Sequence, residues 1–427
     1  MNDGWHTQRA EPTQIGSEEG RPPTSRAERR RERERQARVA RRRRFVFVAI
    51  VVIFLVVVAA VAYPLRHTLG ISRLWGGDSV SAQDWSSGSE GADVVVHVTG
   101  STNGEFAQNL VDAGVVRSVG AFNEAATDKP ISAGYYLMRK HMSAQNAVTV
   151  LVDPQRAHRV GMLNVPPGAQ LDDKRGIDKK TTRGIFSMIA EATQYEANGK
   201  KHAITVSQLA KAASTATPQA LGVPDWAAAA VKAKTGDHRR LEGLIAPGIW
   251  DQVDPDASPT AILADLISKS AAKYEVQGLL DVAPDGPAKL TPYQALVSAS
   301  VVEREVNKSE YYPKVARVVL NRLAKKQRLQ MDSTVNYTAS VTNIDVAGEN
   351  LSKATDWNTY VKYGLPATPI GAVGQDALDA VEDPAPGPWL YFVTIDKDGT
   401  TLFTADYTEH EKNRQKACDS KLLSTGC

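Results

Sequence analysis

Several motifs that would identify a common hydrolase or a metal enzyme are missing from this sequence. It has no G-x-S-x-G elbow, no P-loop, no H-E-x-x-H pair and no C-x-x-C pair. Of its eight histidines, only His410 lies among the polar motifs of the C-terminal part. A serine triad or a bound metal ion therefore has little support, and we expect neither a metal nor a cofactor.

Cysteine is also scarce, because the 427 residues include only Cys418 and Cys427. This pair has no metal-ligand spacing. In an exported tail the two could form one local disulfide, and two unpaired thiols are the alternative. Neither interpretation changes which residues we expect to carry the function. The length predicts two or three folded units with tails.

A long apolar run, FVFVAIVVIFLVVVAAVAY, extends from Phe45 to Tyr63. At about 1.5 Å per helical residue it nearly spans a hydrocarbon core of about 30 Å. A cleaved signal peptide is the alternative, but its apolar part has only about 7–15 residues and ends at a small-residue cleavage site. This run is longer than that and starts late in the chain. These features favour a transmembrane helix over 45–63.

An arginine-rich segment, RPPTSRAERRRERERQARVARRRR, precedes the apolar run from Arg21 to Arg44. Basic flanks stay on the cytosolic side, so we expect a cytoplasmic N-terminus and an extracytoplasmic chain after Tyr63. Such a segment could instead bind nucleic acid or anionic lipid. Its position beside a membrane span makes topology the better explanation. We therefore predict a single-pass cell-membrane protein with no nucleic-acid partner.

The composition divides the chain into regions, and the predicted fold class is α+β behind one transmembrane helix. In the first exported module, Ser101 or Thr102 is the expected N-cap and Glu105 completes a capping box. The predicted regions are a basic disordered cytoplasmic tail (1–44), the transmembrane helix (45–63), a flexible linker rich in Gly and Ser (64–93), a strand–helix–helix–strand module (94–152), a mostly helical middle region (153–286), an α+β domain (287–417) and a C-terminal tail (418–427).

The segment after Pro287 carries the clearest local signals. Thr291 as N-cap and Pro292 at the first helical position predict a helix that continues through SASVVERE. KVARVVLNRLAKKQ predicts an amphipathic helix and GQDALDAVEDP a short one. WLYFV and TLFTA predict a hairpin. RLQMDSTVNYTAS predicts a polar loop.

Two glutamates, Glu303 and Glu305, end a helix whose other residues are nearly all apolar or small. A carboxyl on such a face has to be exposed, paired or protonated, because an unpaired buried charge is costly. Apolar surroundings raise the pKa of a carboxyl, which makes it a general acid at neutral pH. The alternative is a surface ion pair with Arg304, Lys308 or Arg328, and the helix alone favours that alternative.

Polar side chains cluster in the segments that follow this helix. Amides, hydroxyls and aromatic rings suit a sugar chain, which offers hydroxyl groups and apolar ring faces. Each of them alone is more often a turn or capping residue. The candidates are Asn321, Arg322, Gln330, Asp332, Thr334, Asn336, Tyr337, Asn358, Thr359 and Tyr360.

Four motifs occur in order: SASVVERE, VARVVLNRLAKKQRLQMDSTVNY, WNTYVKYGLPATPIG and WLYFV. Together they strongly resemble the endolytic murein transglycosylases of the YceG-like family. The segment LEGLIAPGIW, from Leu241 to Trp250, resembles the family's segment before the catalytic helix. The likeness covers roughly residues 94–416, and the module 94–152 looks like the family's LysM-like region.

The resemblance implies roles residue by residue. The catalytic glutamate of the family's V-E-x-E helix end falls on Glu303. The chain departs from the family pattern at 165–168, where VPPG replaces the usual I-P-E-G, and at Ser333, where proline is usual; the region 180–240 also looks longer. The residues implied to line the glycan cleft are Asn321, Arg322, Gln330, Asp332, Thr334, Tyr337, Asn358 and Tyr360.

The resemblance also implies an activity: cleavage of the MurNAc–GlcNAc bond within nascent glycan strands, beside peptidoglycan polymerases. The products would carry 1,6-anhydroMurNAc ends, and cleavage would limit strand elongation. One carboxyl suffices, because the attacking C6 hydroxyl belongs to the substrate, whereas ordinary glycosidases need two carboxyls. The alternatives are a lysozyme-type hydrolase using Glu303 and Asp332, and a non-catalytic wall-binding membrane scaffold.

Overall fold

The computed structural model describes residues 83–281, 289–342, 349–423 and 427. The predicted cytoplasmic tail, the transmembrane helix over 45–63 and most of the linker lie outside these residues. Among the described helices, none is both long enough and apolar enough to cross a membrane. Helices and small sheets alternate along the described chain, which confirms the α+β class.

The helices have the following bounds in chain order: α1 Asn103–Asp112, α2 Val119–Ala125, α3 Ala144–Leu151, α4 Ile185–Ala192, α5 Val206–Thr215, α6 Asp225–Ala233, α7 Pro259–Val276, α8 Pro292–Glu305, α9 Tyr312–Ala324, α10 Asp332–Thr338, α11 Glu349–Ser352, α12 Gln375–Glu382 and α13 Tyr407–Asp419. Short 3-10 turns are His238–Leu241, Leu279–Asp281 and Ser309–Tyr311. The strands are β1 Asp93–Val98, β2 Gly134–Arg139, β3 Arg159–Val160, β4 Leu163–Val165, β5 Lys174–Gly176, β6 Thr181–Thr182, β7 Tyr195–Ala197, β8 Lys200–His202, β9 Gly248–Trp250, β10 Val341–Thr342, β11 Tyr391–Thr394 and β12 Thr401–Thr404.

The N-terminal module has a hydrophobic core of its own. β1 pairs antiparallel with β2, which places Val96 opposite Tyr136, and β3 pairs with the other edge of β2. α1 begins at the predicted capping box, with Thr102 as N-cap and Glu105 as its acid. α1, α2 and α3 contribute the apolar side chains that cover the sheet, including the fully buried Phe122. The predicted order strand, helix, helix, strand is confirmed.

The middle region contains more strand than the sequence predicts. β4 pairs with the distant β9, β5 with β6, and β7 with β8. Strands of two or three residues are too short to show a periodicity, so pattern analysis misses them. The β7–β8 hairpin had a usable signal: Asn198 and Gly199 both have positive φ, as a type I′ turn requires. The sequence predicts only a mostly helical region here, so this hairpin differs from the prediction.

One hydrophobic core extends through the middle region and the C-terminal part. It joins β4 and α4 to α7, α8, α9 and α12. α8 is central, because every residue from Tyr293 to Val302 except Gln294 is buried. Glu303 and Glu305 therefore end a helix whose position is fixed by packing on most of its sides.

The segment predicted as a polar loop contains a helix, α10, so that prediction is wrong. Ser333, Thr334, Val335 and Tyr337 on this helix are buried. A seven-residue helix with several β-branched side chains is unstable alone, so tertiary packing has to hold it. The helices α8, α9 and α12 and the hairpin β11–β12 are confirmed.

We predict that Thr291→Ala lowers the free energy of unfolding by about 1 kcal/mol, because it removes the N-cap of α8. Thr291 Oγ1 accepts from the Gln294 N–H at 3.3 Å, and Gln294 Oε1 accepts from the Thr291 N–H at 2.9 Å. Urea unfolding of the full chain measures the change. Thr291→Ser keeps the hydroxyl and should retain most of the stability; an equal loss in both variants would contradict the prediction.

Candidate active site

The carboxyl of Glu303 is held by two donors at the end of α8. Its Oε2 accepts from the Gly374 N–H at 3.0 Å, and its Oε1 accepts from the Tyr312 hydroxyl at 3.1 Å. The residue is half-buried. Burial raises the pKa of Glu303, and the charge of Asp376 adds to the rise, although both hydrogen bonds oppose it. The carboxyl is therefore oriented and partly desolvated, as a general acid needs to be.

The carboxyl of Glu303 approaches closely to Gly374. A Cβ built there would lie only 3.0 Å from Glu303 Oε2, so the neighbour would have to move. Gly374 is also the N-cap of α12, which packs against α8. The N–H that binds the carboxylate therefore belongs to a helix N-terminus, where the helix dipole favours negative charge.

The departure from the family pattern at 165–168 still forms a tight turn. The Ala169 N–H donates to the carbonyl of Pro166 at 3.2 Å, and Gly168 has a φ of +72°. Pro at the second position and a positive φ at the third suit a type II turn. The carbonyl of Gly168 accepts from Arg304 Nη1 at 2.6 Å, so the turn is fixed beside the end of α8.

Glu305 lies against α10 and contacts Ser333. Its Oε1 accepts from the Ser333 N–H at 3.2 Å and also from the Ser333 hydroxyl. The residue as a whole is half-buried, but its carboxyl is desolvated, which raises the pKa of Glu305 to about 7. The nearby charge of Asp332 contributes to that rise. Ser333, the second departure from the family pattern, thus supplies a hydroxyl partner that proline could not offer.

The structure brings α10 and the segment 358–360 together, as the cleft prediction requires. The hydroxyl of Tyr360 donates to Asp332 Oδ1. Thr334 Oγ1 lies 2.9 Å from Thr359 Oγ1, and both residues are fully buried. Gln330 is exposed, and its N–H donates to the carbonyl of Thr359 at 3.1 Å.

Asn321, Arg322 and Asn358 bind main-chain carbonyls. Asn321 Nδ2 donates to Gly387 O at 3.1 Å and to Trp389 O at 2.9 Å. Arg322 Nε donates to the carbonyl of Leu390 at 2.6 Å, and its Nη1 donates to Leu329. Asn358 is 1% exposed and donates to the carbonyls of residues 351 and 353. These contacts hold loops in place, and direct contact of the three residues with glycan stays a prediction.

Sequence analysis missed Glu242, which is 1% exposed. Both of its carboxyl oxygens lie 3.2 Å from the Leu171 N–H, and its Oε2 accepts from the Tyr337 hydroxyl at 2.9 Å. Burial raises the pKa of Glu242 to about 7. The signal in the sequence was one acid inside the otherwise apolar segment LEGLIAPGIW. Glu242, in the middle region, therefore fixes the position of Tyr337, one of the predicted cleft residues.

A hydrogen-bonded Asp–His pair lies close to Glu242. His238 Nε2 is 2.9 Å from Asp172 Oδ2. The hydrogen bond that His238 donates to Asp172 raises the pKa of His238. Burial alone would raise the pKa of Asp172, but the hydrogen bond and charge of His238 lower it. Lys174 Nζ donates to the carbonyl of Tyr337, so β5 is tied to the end of α10.

No group of His, Cys, Asp and Glu side chains with metal-binding geometry occurs in the described part of the chain. At the C-terminus, Cys418 and Cys427 form a disulfide with an S–S distance of 2.02 Å. Of the two interpretations left open by the sequence, the structure therefore shows the paired one.

Comparisons with known proteins relate most of the chain to one family and to several bacterial proteins. A family model described as the YceG-like family matches residues 95–416. The endolytic murein transglycosylase of Bacillus subtilis (strain 168) is 28% identical over 333 residues, covering 76% of this chain and 84% of that protein. The endolytic murein transglycosylase of Streptococcus pneumoniae (strain ATCC BAA-255 / R6) is 24% identical over 340 residues, covering 76% of this chain and 58% of that protein. A crystal structure of a yceG-like protein from Listeria monocytogenes is 23% identical with a TM-score of 0.44, covering 75% of this chain and 98% of that one.

We predict that Glu242→Gln makes stability less dependent on pH. The pKa of Glu242 rises from 4.5 to about 7 on folding, so the folded protein holds this proton more tightly than the unfolded chain. That stabilisation is complete below pH 4.5 and is lost as the pH rises to about 7. The variant, which imitates the protonated carboxyl, should avoid a loss of about 3 kcal/mol across that window.

Urea unfolding of the full chain between pH 4 and 8 measures this effect. Glu196→Gln changes an exposed glutamate and serves as the control. Glu305 still titrates in both proteins, so the dependence of the free energy of unfolding on pH should become weaker but should not disappear. If Glu242→Gln and the wild type lose stability in parallel, the proposed burial of a titrating carboxyl is wrong.

Proposed function

The chain belongs to the YceG-like family, and we propose that it is an endolytic peptidoglycan lytic transglycosylase with Glu303 as its single acid and base. Its substrate is the glycan strand of peptidoglycan, and it cleaves the MurNAc–GlcNAc bond within the strand. The names of the bacterial relatives support this activity. The family match covers the helix that carries Glu303 and the segments around it.

The observation that carries the proposal is the environment of the Glu303 carboxyl. It is half-buried, and one donor is a main-chain N–H and the other a tyrosine hydroxyl. Burial favours the protonated form, which the first step needs. The two donors favour the carboxylate that remains after proton transfer. The site therefore stabilises both forms of a group that has to donate and then accept a proton.

The proposed reaction needs no other acid. Glu303 donates its proton to the glycosidic oxygen as the bond to C1 of the muramic acid residue breaks. The resulting carboxylate takes the proton of the C6 hydroxyl on the same sugar, and that oxygen bonds to C1. Glu303 is then protonated again, the 1,6-anhydro ring is closed and no water is consumed. Because the nucleophile is already part of the substrate, orientation replaces a second carboxyl.

Glu305 and Asp332 have a different part in this proposal. Their contacts with Ser333 and Tyr360 hold α10 and the 358–360 segment beside the end of α8. We assign them a positioning role at the cleft wall. Thr334 and Tyr337 are buried within the same wall and stabilise it, and their direct contact with glycan stays a prediction.

The location and the wider role also remain proposals. We propose a single-pass cell-membrane protein with the helix over 45–63 as its anchor, a cytoplasmic N-terminus and an extracytoplasmic catalytic part. The Cys418–Cys427 disulfide supports an oxidising compartment. We further propose that the module 94–152 is LysM-like and binds the cell wall, and that cleavage beside peptidoglycan polymerases limits strand elongation.

We predict that Glu303→Gln reduces glycan cleavage by at least about 1,000-fold, because the amide can neither donate nor accept the proton. The full chain in neutral detergent is incubated with purified glycan strands, and mass spectrometry identifies the new ends. Wild type should produce 1,6-anhydroMurNAc ends. Reducing MurNAc ends from the wild type would identify the lysozyme-type hydrolase instead. Equal cleavage by the wild type and the variant would exclude a catalytic role for Glu303.

We predict that Tyr312→Phe moves the alkaline limb of the rate profile to higher pH. The Tyr312 hydrogen bond lowers the pKa of Glu303, so losing it should raise that pKa. A general acid works while protonated, so activity should persist to higher pH. The measurement is kcat/KM against pH for glycan strands. Tyr363→Phe, which alters an exposed tyrosine, is the control; a shift to lower pH would contradict the assignment.

A further inference from the structure

A cavity of about 560 Å³ between the N-terminal module and the middle region has no part in the reaction above. Arg159 lines it from β3, which pairs with β2 of the module, and Arg156 lines it from the turn before β3. Arg183 and Glu191 line it from the region around α4. Glu191 is paired with Arg183. Three positive charges and one negative charge thus give this lining a net charge of +2. A cavity with that balance suits an anionic ligand.

Arg159 is a fixed positive charge in the wall of this cavity, because its side chain is only 6% exposed. Its Nη2 donates to the carbonyl of Ala133 at 2.6 Å, and its Nη1 donates to the Tyr136 hydroxyl at 3.1 Å. Asp251 Oδ2 lies 3.6 Å away and is itself half-exposed. Among the described residues, nothing accepts a hydrogen bond from Arg159 Nε. The charge of this guanidinium is therefore only partly compensated.

Arg156 is presented by an unusual turn. Its φ is +55°, a conformation that a long side chain rarely adopts. The carboxyl of Asp153 holds the turn by accepting from the N–H groups of Gln155 and Ala157, each at 2.9 Å. In the described part of the chain no carboxylate forms an ion pair with Arg156, and its Nη1 contacts Met162 Sδ at 3.1 Å. Arg156 is exposed, so its guanidinium is accessible to an anionic ligand at the cavity.

The cavity is close to the catalytic carboxyl. Pro166 lines it, and Gly168 lies only two residues further along the chain, a span of at most about 7 Å. Gly168 packs against the end of α8, since a Cβ built on it would stand 3.8 Å from Glu303 Cγ. The Pro166 end of the cavity therefore adjoins the turn that packs against Glu303.

We propose that this cavity binds a carboxylate of the peptide stems attached to the glycan strand. The inference rests on the proposed function. Peptidoglycan stems are short peptides with free carboxylates, attached to the muramic acid next to the cleaved bond. Guanidinium groups bind carboxylates through paired hydrogen bonds. The amides of Asn164 and Gln194 and the thioethers of Met162 and Met188 complete a lining that suits a peptide.

The site makes the enzyme prefer glycan that still carries its stems. The test compares kcat and KM for strands with intact stems and for strands stripped of them by an amidase, using the full chain in neutral detergent. Arg156→Ala should raise KM for stem-bearing strands about tenfold, which is the loss of one charge-assisted hydrogen bond, and leave kcat unchanged. For stripped strands it should change neither constant, and Arg156→Lys should restore part of the loss. Arg139→Ala, which removes an exposed arginine of the same module, should have no effect.

A binding measurement separates this inference from the proposed function. Glu303→Gln and Glu303→Gln/Arg156→Ala are compared for sedimentation with intact stem-bearing strands, which requires no cleavage. About tenfold weaker binding of the double variant supports the stem site even if wild type cleaves nothing. Equal effects of Arg156→Ala on stem-bearing and stripped strands overturn it. An effect that appears only in micelles containing phosphatidylglycerol also overturns it, because a lipid phosphate would then be the occupant.

Discussion

The low polarity around the end of α8 is the constraint on which the rest of the structure depends. Both Glu303 and Glu305 lie in the last turn of a helix that is buried along most of its length. The carbonyl groups of a helix C-terminus carry partial negative charge, which further disfavours a carboxylate there. Arg304, the basic residue of that turn, donates to Gly168 instead of neutralising either acid through an ion pair. Glu303 and Glu305 therefore depend on uncharged hydrogen-bond donors. Gly374 and Tyr312 bind Glu303, and Ser333 binds Glu305.

This dependence explains why residues far apart in the chain meet at one place. Gly374 and Tyr312 come from the starts of α12 and α9, and Ser333 comes from α10. The middle region contributes Glu242, which accepts a hydrogen bond from Tyr337, one turn along α10 from Ser333. Because one core joins the middle region to α8, the positions of these donors relative to Glu303 are fixed by packing. The geometry of the site therefore depends on several elements of the described chain, and α8, which carries Glu303, is only one of them.

The local parts of this arrangement could be predicted from the sequence, and the long-range parts could not. Thr102 and Thr291 mark helix starts because a capping residue acts within three positions. Glu303 and Glu305 drew attention because a carboxyl on an apolar helix needs an explanation, and the family resemblance then singled out Glu303. α10 was missed because its helical state comes from contacts with Glu305 and Tyr360, which no local window contains. Glu242 was missed because its partners, Leu171 and Tyr337, lie 71 and 95 residues away.

The origin of one donor to Glu303 has a consequence for how this site can evolve. The N–H of position 374 belongs to the peptide backbone, so no substitution other than proline deletes it. Selection at position 374 therefore acts on the size of the side chain, because a larger residue would crowd the Glu303 carboxylate. The tyrosine hydroxyl, in contrast, can be lost in a single mutational step. During sequence divergence, the hydrogen bond from the backbone N–H of position 374 is therefore harder to lose than the hydrogen bond from the Tyr312 hydroxyl.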